Sequence, residues 1–277
     1  MARDASYDIW FGGTVRVKGM LAQAGPGFYK PHAMDAPFTL IPPAPGGTSP
    51  LLFLCDHASN AVPADYRSLG LPQPMFETHI AYDIGAAQVT RALAEAYGAA
   101  ALLGGVSRLL IDLNRGIDDP TLVMKLSDGS IIPGNRDAGK DEVARRLARF
   151  HAPYHAAIRE QIARIGPAAI LISIHSFTPA WKNVPRPWEM GVLYGRDGRL
   201  ARPLMRHLAA AGFVVGDNEP YAGALEGDTL DTHGTKTGHA NVLIEIRQDF
   251  LVHPVMAASF AARLKPIVDG ALAEAER

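Results

Sequence analysis

The chain has 277 residues with a formal net charge of −1, 48% hydrophobic residues and one cysteine, Cys55. Its acidic and basic residues are interspersed, which leaves no basic region of the kind that nucleic acids or anionic membranes bind. A single cysteine excludes an intramolecular disulfide framework and a cysteine-based zinc cage, so any metal would need histidine and carboxylate ligands.

The first 36 residues show no clear periodicity, and a stretch rich in proline and glycine at residues 42–47 separates them from the first strong apolar run. We interpret residues 1–36 as an N-terminal extension and predict one domain over residues 37–277. No secretory leader is visible at the start, and no apolar run is long enough to span a bilayer. The expected protein is cytoplasmic and acts on a small molecule, without nucleic-acid or membrane partners.

The predicted elements then alternate between strands and helices. The apolar run at 51–55 indicates a buried strand, and apolar spacing predicts a helix over 83–97 that ends at Gly98. Residues 99–114 hold one or two further strands, because residues 107–115 alternate with period two.

The second half of the chain continues this alternation after a long predicted loop over residues 116–140. A helix over 141–165 is expected to break at Pro153. The remaining predicted elements are strands at 170–174, 190–194, 213–215 and 242–244 and helices at 200–211 and 254–275. This order predicts an α/β fold, with a mostly parallel or mixed central sheet flanked by helices.

Three of the apolar runs each lead to a residue able to take part in hydrolytic chemistry, namely His57, His175 and Glu245. Short runs rich in Leu, Ile and Val are typical of strands that are buried on both faces of a parallel sheet. In such sheets ligands bind in the crevice beyond the carboxyl ends of the strands. The pattern therefore predicts that these three side chains meet at one functional site.

His57 and His175 are the strongest candidate metal ligands, because a catalytic zinc commonly takes two histidines and one carboxylate and leaves a fourth position for water. Asp83, in the first turn of the predicted helix, is the third ligand in this interpretation. The alternative for either histidine alone is an ordinary hydrogen-bonded side chain at a strand end. The metal would be one zinc ion or another divalent cation.

Glu245 is the predicted catalytic base, since a glutamate at this place could take a proton from the attacking water and pass it to the leaving amine. The alternative is a salt bridge between Glu245 and Arg247 or a neighbouring arginine. A carboxylate directly after three apolar residues is costly to bury without a partner, which favours the functional interpretation.

A second polar group lies between residues 108 and 115. Arg108 could stabilise an oxyanion, and Asn114 could bind a carbonyl or stabilise a developing oxyanion. Arg115 or Arg247 could bind a substrate carboxylate. The structural alternative, equally compatible with the sequence, is an ion pair between Arg108 and Asp112 on one strand face.

The remaining histidines lead to weaker predictions. His151 and His155 have the i, i+4 spacing of a helical metal pair, but Pro153 lies between them and no glutamate directly follows His151, so we reject them as primary ligands. His155 could still line the pocket. His233, in a glycine-rich loop before the last apolar run, could act as a second acid, a substrate contact or an oxyanion stabiliser.

At these residues the chain resembles the N-formylglutamate amidohydrolase family. The matching segments occur in the expected order over roughly residues 37–270. They are Cys55-Asp56-His57-Ala58-Ser59-Asn60, Tyr82-Asp83-Ile84-Gly85, Ser107-Arg108, Asp112-Leu113-Asn114-Arg115, Pro153-Tyr154-His155, Ser173-Ile174-His175-Ser176-Phe177 and Ile244-Glu245-Ile246-Arg247-Gln248-Asp249.

The resemblance implies a zinc-peptidase-like fold (phosphorylase/hydrolase-like architecture), similar to that of zinc carboxypeptidases and zinc-dependent peptidoglycan amidases. It also implies that His57, Asp83 and His175 hold zinc and that Glu245 acts on water. The predicted catalytic residues beside Glu245 are Arg108 and His233. The predicted substrate contacts are Asn60, Asn114, Arg115, His155 and Arg247.

The expected activity is that of a zinc-dependent amidohydrolase in amino-acid catabolism. It would split an N-formyl or other N-acyl amino acid, such as N-formylglutamate, into a carboxylic acid and a free amino acid. Two alternatives stay open at this point. One is a peptidoglycan-type amidase or carboxypeptidase on the same scaffold, and the other is a small-molecule binding protein without turnover.

Overall fold

The computed structural model describes residues 36–223 and 225–275, so all of the predicted N-terminal extension except Ala36 lies outside the described residues. The strands in these ranges are β1 (Phe38–Ile41), β2 (Leu51–Cys55), β3 (Ala100–Gly104), β4 (Leu126–Ser127), β5 (Ser130–Ile131), β6 (Ile170–Phe177), β7 (Ala180–Trp181), β8 (Val184–Pro185), β9 (Met190–Leu193), β10 (Val215–Asp217) and β11 (Ala240–Arg247). The helices are α1 (Ala86–Tyr97), α2 (Pro133–Arg136), α3 (Lys140–Arg146), α4 (Ala152–Ile165), α5 (Ala201–Ala210) and α6 (Pro254–Ala275). Within the same ranges, no helix combines the length and hydropathy that crossing a bilayer requires.

Seven strands form the central sheet in the order β1-β3-β2-β6-β11-β9-β10. Strands β3, β2, β6 and β11 run parallel to one another, whereas β1 pairs antiparallel with β3 and β9 pairs antiparallel with β11. The mixed central sheet flanked by helices confirms the predicted fold class. The three strands whose ends carry His57, His175 and Glu245 are adjacent in the middle of the sheet.

The central strands are apolar throughout because they face a hydrophobic core on each side. Successive side chains of a strand point to opposite faces. Phe53 and Cys55 on β2 pack in the core that α1, α5 and α6 cover, while Leu52 and Leu54 pack in the core that contains α4. Each large apolar side chain buried in this way contributes about 1.5–3 kcal/mol to folding.

The helix predicted over 83–97 begins later, at Ala86. Gly85 has a φ of +80°, a left-handed conformation that interrupts a right-handed helix. Asp83 therefore precedes the helix rather than occupying its first turn. Its backbone N–H donates to the carbonyl of His57 (3.0 Å), which ties it to the end of β2.

The strand predicted within residues 107–115 is wrong, because this segment forms hydrogen-bonded turns. Leu109, Leu110 and Ile111 are all fully buried, so the expected alternation between two faces does not exist. The polar residues satisfy backbone groups locally: the Ser107 hydroxyl donates to the carbonyl of Ala81, and Asp112 accepts from the N–H of Asn114. Such side-chain bonds replace a sheet ladder.

The helix predicted over 141–165 stays helical through Pro153, but its regular α-helical winding is interrupted just before this residue. A wide, π-helical turn at Leu147–His151 joins α3 to α4, and Pro153 lies in the first turn of α4, where its missing N–H costs nothing. The last helix, α6, has its predicted bounds.

The sequence analysis missed or misplaced several short elements. The edge strand β1 was not predicted, and the predicted loop over 116–140 contains the β4–β5 hairpin and α2. The strand predicted at 213–215 is displaced to β10, because Phe213 packs into the core beside Phe260. A further exposed hairpin, β7–β8, turns through Lys182 and Asn183, both with positive φ.

Candidate active site

The carboxyl ends of β2, β6 and β11 bring the predicted site residues together. His57 follows β2 after Asp56, while His175 lies on β6 directly beside Glu245 on β11, its partner in the parallel register. Paired residues on adjacent strands point to the same face of a sheet. The convergence expected from the three apolar runs therefore has a geometric basis in the three central strands.

His57, Asp83 and His175 form a compact group of potential metal ligands. One ligand atom from each lies within 4.8 Å of the other two. The Asp83 Oδ2 atom is 2.8 Å from His175 Nδ1 and 3.4 Å from His57 Nδ1. The three residues are only 3%, 4% and 2% exposed, respectively.

The group fits a divalent cation on the chemistry of its donors. His57 Nδ1 is buried and has no hydrogen-bond partner, which is costly for a polar atom unless a ligand uses it. Two imidazole nitrogens and one carboxylate oxygen are the usual protein donors of a catalytic zinc site. His57, Asp83 and His175 could thus hold one zinc ion.

Two further carboxylates orient the imidazole rings. His57 Nε2 is 2.7 Å from Asp112 Oδ1, and His175 Nε2 is 3.0 Å from Asp56 Oδ2. With Nε2–H donating to a carboxylate, each ring presents its Nδ1 lone pair to the candidate metal position. This carboxylate–histidine arrangement is the one that commonly supports metal-binding histidines.

The electrostatics of the centre favour positive charge. Burial by itself lowers the pKa of His175, but hydrogen bonds with Asp56 and Asp83 raise it well above its ordinary value. Burial would raise the pKa of Asp83 and of Asp112, yet the neighbouring histidines and, for Asp112, Arg108 hold both below the usual range. Ionised carboxylates packed this closely are stabilised by a cation between them.

Three hydroxyl groups donate hydrogen bonds to the Asp56 carboxylate. Its Oδ1 atom accepts from the hydroxyls of Thr229 (2.6 Å) and Tyr154 (3.0 Å), and its Oδ2 atom accepts from Ser173 (3.2 Å). Neither Asp56 nor Asp112 was predicted as a supporting partner of a ligand. The one available signal was that each lies within a motif containing a candidate site residue.

Glu245 carries a buried carboxylate atom, Oε2, without a hydrogen-bond partner. Burial raises the pKa of Glu245 to about 7. Gly191, its neighbour on β9, makes room for it: a Cβ at that position would lie 3.0 Å from the Glu245 Cβ and would overlap the Glu219 carbonyl. The alternative salt bridge is not formed, because Arg247 pairs with Asp249 (2.8 Å).

Arg108, Asn114 and Arg115 line a cavity of about 480 Å³ together with the three candidate ligands and Glu245. Arg108 has both of its predicted properties, since its Nη2 is 2.9 Å from Asp112 Oδ2 while the residue also lines the cavity. Arg115 donates to the Asn114 carbonyl (2.8 Å) and to the Thr121 hydroxyl (3.1 Å).

Four predicted site residues do not line this cavity. His155 Nδ1 bonds His233 Nε2 (2.8 Å), and both rings are buried. Asn60 donates to the Phe76 carbonyl (2.8 Å), and Arg247 points to Asp249. The structure thus places these four side chains in contacts with the protein rather than at the cavity.

A second cavity of about 400 Å³ adjoins the first. Asp83, Arg108, Ser176 and Tyr221 line both cavities. Tyr221 carried no sequence signal, and it lies in a loop between β10 and β11. The candidate metal position therefore has space on two sides.

Comparison with known proteins agrees with this arrangement. The sequence profile of the N-formylglutamate amidohydrolase family matches residues 49–252. A gene product of Agrobacterium tumefaciens of known structure is 32% identical, with a TM-score of 0.81, and the match covers 87% of this chain and 96% of that one. The N-formylglutamate amidohydrolase of Ralstonia eutropha JMP134 is 23% identical, with a TM-score of 0.62, over 87% of this chain and 97% of that one. No curated protein sequence matches the chain.

The family profile spans more than half of the chain and includes the three candidate ligands as well as Glu245. The second solved structure, at its level of identity, supports the fold alone. The chain therefore belongs to the N-formylglutamate amidohydrolase family, whose activity is the hydrolysis of amide C–N bonds outside peptides.

Proposed function

We propose that the protein is a zinc-dependent amidohydrolase that cleaves an N-acyl amino acid of the N-formylglutamate type. One observation carries this proposal: His57, Asp83 and His175 group their donor atoms within 4.8 Å, in a cavity that Glu245 also lines. Family membership supports the reaction class. The unpartnered carboxylate atom of Glu245 favours turnover over simple binding, because a binding protein gains nothing from burying it.

Different residues of the chain have different roles in the proposed amide hydrolysis. Zinc, when bound, would polarise the substrate carbonyl and make water a better nucleophile at neutral pH. Glu245 accepts a proton from the attacking water and passes it to the nitrogen of the leaving amine. Arg108 lies on the cavity wall, with its Nη1 atom 3.7 Å from Asp83 Oδ1. Its guanidinium donates hydrogen bonds to the carbonyl oxygen that becomes negative during the reaction.

Asn114 and Arg115 are the proposed binding site for the carboxylate of the amino-acid half. Both line the cavity that holds Glu245, and Arg115 has no carboxylate within salt-bridge distance among residues 36–223 and 225–275. A guanidinium offers a fork of donors that matches a carboxylate. An amino acid whose carboxylate binds there would have its amine in the same cavity as Glu245.

The test is formate release from N-formylglutamate by zinc-loaded protein and by the Glu245→Gln variant. Loss of a general base is expected to lower kcat by a factor of about 10²–10⁴. Glu226→Gln is the matched control, since it removes another carboxylate from the wall of the same cavity, and we expect a much smaller change. Undiminished activity of Glu245→Gln would remove Glu245 from the mechanism, and the absence of formate release by wild-type protein would refute this substrate.

A further inference from the structure

We propose that the second cavity is an acyl-group subsite, and that Arg186 on its wall selects an acyl group that ends in a carboxylate. This inference rests on the proposed amide hydrolysis. The preferred substrate would then be an N-acyl amino acid whose acyl half is a dicarboxylic acid rather than formate.

The position of the second cavity relates it to the reaction. It shares Asp83, Arg108, Ser176 and Tyr221 with the cavity that contains Glu245. Asp83 is a candidate ligand and Arg108 the candidate oxyanion donor, so the two cavities meet where the scissile carbonyl would lie. A substrate bound there has one half in each cavity.

The direction of the substrate follows from the residues that the cavities do not share. Glu245, Asn114 and Arg115 line the first cavity and not the second. The leaving nitrogen must be near Glu245 to receive its proton, and the amino-acid carboxylate must be near Arg115. The second cavity is therefore left for the acyl half.

The size of the second cavity exceeds what a formyl group needs. A formyl carbon carries only a hydrogen beyond its carbonyl, whereas a volume of about 400 Å³ is within the range of cavities that bind whole small ligands. An acyl chain of several carbon atoms fits within this space.

The residues on the wall of the second cavity favour an anionic ligand. The Arg186 guanidinium lies between three aromatic rings, 5.1 Å from Tyr221, 5.6 Å from Phe177 and 5.7 Å from Trp181. Its Nη1 atom donates to the carbonyl and hydroxyl of Thr178 (3.2 and 3.0 Å). The rings hold the planar cation in place, the Tyr221 side chain also hydrogen-bonds to it, and its remaining donors can meet a carboxylate.

Arg186 differs in this respect from Arg108, the other arginine of the second cavity. Arg108 is neutralised by Asp112 (2.9 Å) and is near Asp83 (3.7 Å). No carboxylate in the described part of the chain lies within 4.0 Å of Arg186. The remaining acid of this cavity, Asp128, is paired with His79 (3.1 Å).

The reaction is an ordinary hydrolysis. Water adds to the acyl carbon, the C–N bond breaks, and its electron pair takes a proton to leave a free amine. An N-succinyl amino acid would give succinate and the amino acid, with no oxidant or further reactant.

The experiment compares hydrolysis of N-succinylglutamate with hydrolysis of its uncharged analogue N-succinamoylglutamate, in which an amide replaces the terminal carboxylate. N-formylglutamate is measured alongside. The wild type is expected to prefer the succinyl compound in kcat/KM by about tenfold or more, because a charge-assisted hydrogen bond is lost with the amide. The Arg186→Gln variant is expected to lose this preference.

Lys182→Gln is the matched control, because Lys182 is a cation on the same hairpin that does not line the cavity. This control is expected to keep the preference, which separates direct contact from general attraction between charges. An equal rate on both succinyl compounds in the wild type, or a preference that survives in Arg186→Gln, would overturn the inference.

Calorimetric binding of the same pair to the Glu245→Gln variant separates this inference from the proposed function. Tighter binding of N-succinylglutamate without hydrolysis by the wild type would support the subsite and count against the enzyme activity. Hydrolysis of N-formylglutamate with no preference between the longer substrates would support the activity and refute the subsite.

Discussion

This protein has two groups of buried histidines, and the groups differ in what holds the imidazole rings. His57 and His175 each direct Nε2 to an aspartate carboxylate. His151 and His155 each direct Nε2 to a backbone carbonyl, that of Arg115 and of Leu113, both at 2.9 Å. The first pair lines the cavity, whereas the second pair does not.

The difference in partners has chemical consequences. A carboxylate makes an imidazole a better ligand and leaves its second nitrogen facing the cavity. In the other group, burial lowers the pKa of His155 to about 3 and that of His233 to about 4. His155 Nδ1 then accepts from His233, so this nitrogen is already used. Histidine clustering and burial alone therefore do not define a metal site; acidic partners and an open nitrogen do.

The largest expected difference between the two groups is in metal content. His175→Ala removes a candidate ligand, so the purified protein should contain no stoichiometric zinc and should release almost no formate. His155→Phe removes a stacked histidine of the second group and should retain about one zinc per chain. Elemental analysis of both variants checks this. Zinc retained by His175→Ala, or lost equally from both, would contradict the distinction.

A smaller effect is expected when the partner of a ligand is changed. Asp112→Asn weakens the acceptor for His57 Nε2–H, which should lower zinc affinity by about 10- to 100-fold. Asp128→Asn is the matched control because Asp128 also pairs with a histidine, His79, that is no candidate ligand. Competition with a chromophoric chelator measures both affinities. Equal affinities in the two variants would argue against a role for Asp112 at the metal.

The second group should instead affect folding stability. His155→Phe removes the partner of His233 Nε2 and leaves the Leu113 carbonyl with the longer bond from the Thr229 hydroxyl (3.4 Å), at a cost of about 1–3 kcal/mol of unfolding free energy at pH 7. Urea unfolding at several pH values measures this cost.

The stability difference between the wild type and His155→Phe should decrease as the pH falls. Since the pKa of folded His155 is lowered to about 3, only the unfolded chain takes up this proton as the pH falls below about 6.5. The unfolding free energy of the wild type therefore falls on acidification, whereas the variant lacks this titrating group. The difference in unfolding free energy between the wild type and His155→Phe should narrow by roughly 1–2 kcal/mol between pH 7 and pH 5. A gap that widens on acidification would contradict a neutral, buried His155.

The sequence predicted the parts of the fold in which composition alone determines burial. Strands β2, β6 and β11 are apolar because both of their faces are covered, and this requires no knowledge of distant partners. Residues 107–115 also alternate, but Asp112 bonds both the N–H of Asn114 and a histidine 55 positions away, contacts that the alternation does not show. Period-two patterns made by polar residues with distant partners are therefore poor predictors of strands.

The same distinction applies to the site. The sequence predicted His57, His175 and Glu245 as site residues because each follows or ends an apolar run, and the adjacent strands of the sheet bring them together. The bond between Asp56 and His175 spans 119 positions, so no local pattern shows it. Arg247 pairs with Asp249, two residues away, and its predicted contact with the substrate stays a prediction.

The β7–β8 hairpin beside Arg186 is exposed on all four of its strand residues, and Trp181 keeps 42% of its surface accessible. Exposed positions of this kind usually change stability by less than about 0.5 kcal/mol when substituted. The reaction chemistry, by contrast, is anchored in buried central strands that tolerate little change. Substitutions in the hairpin can therefore reshape this wall of the second cavity with little cost to folding.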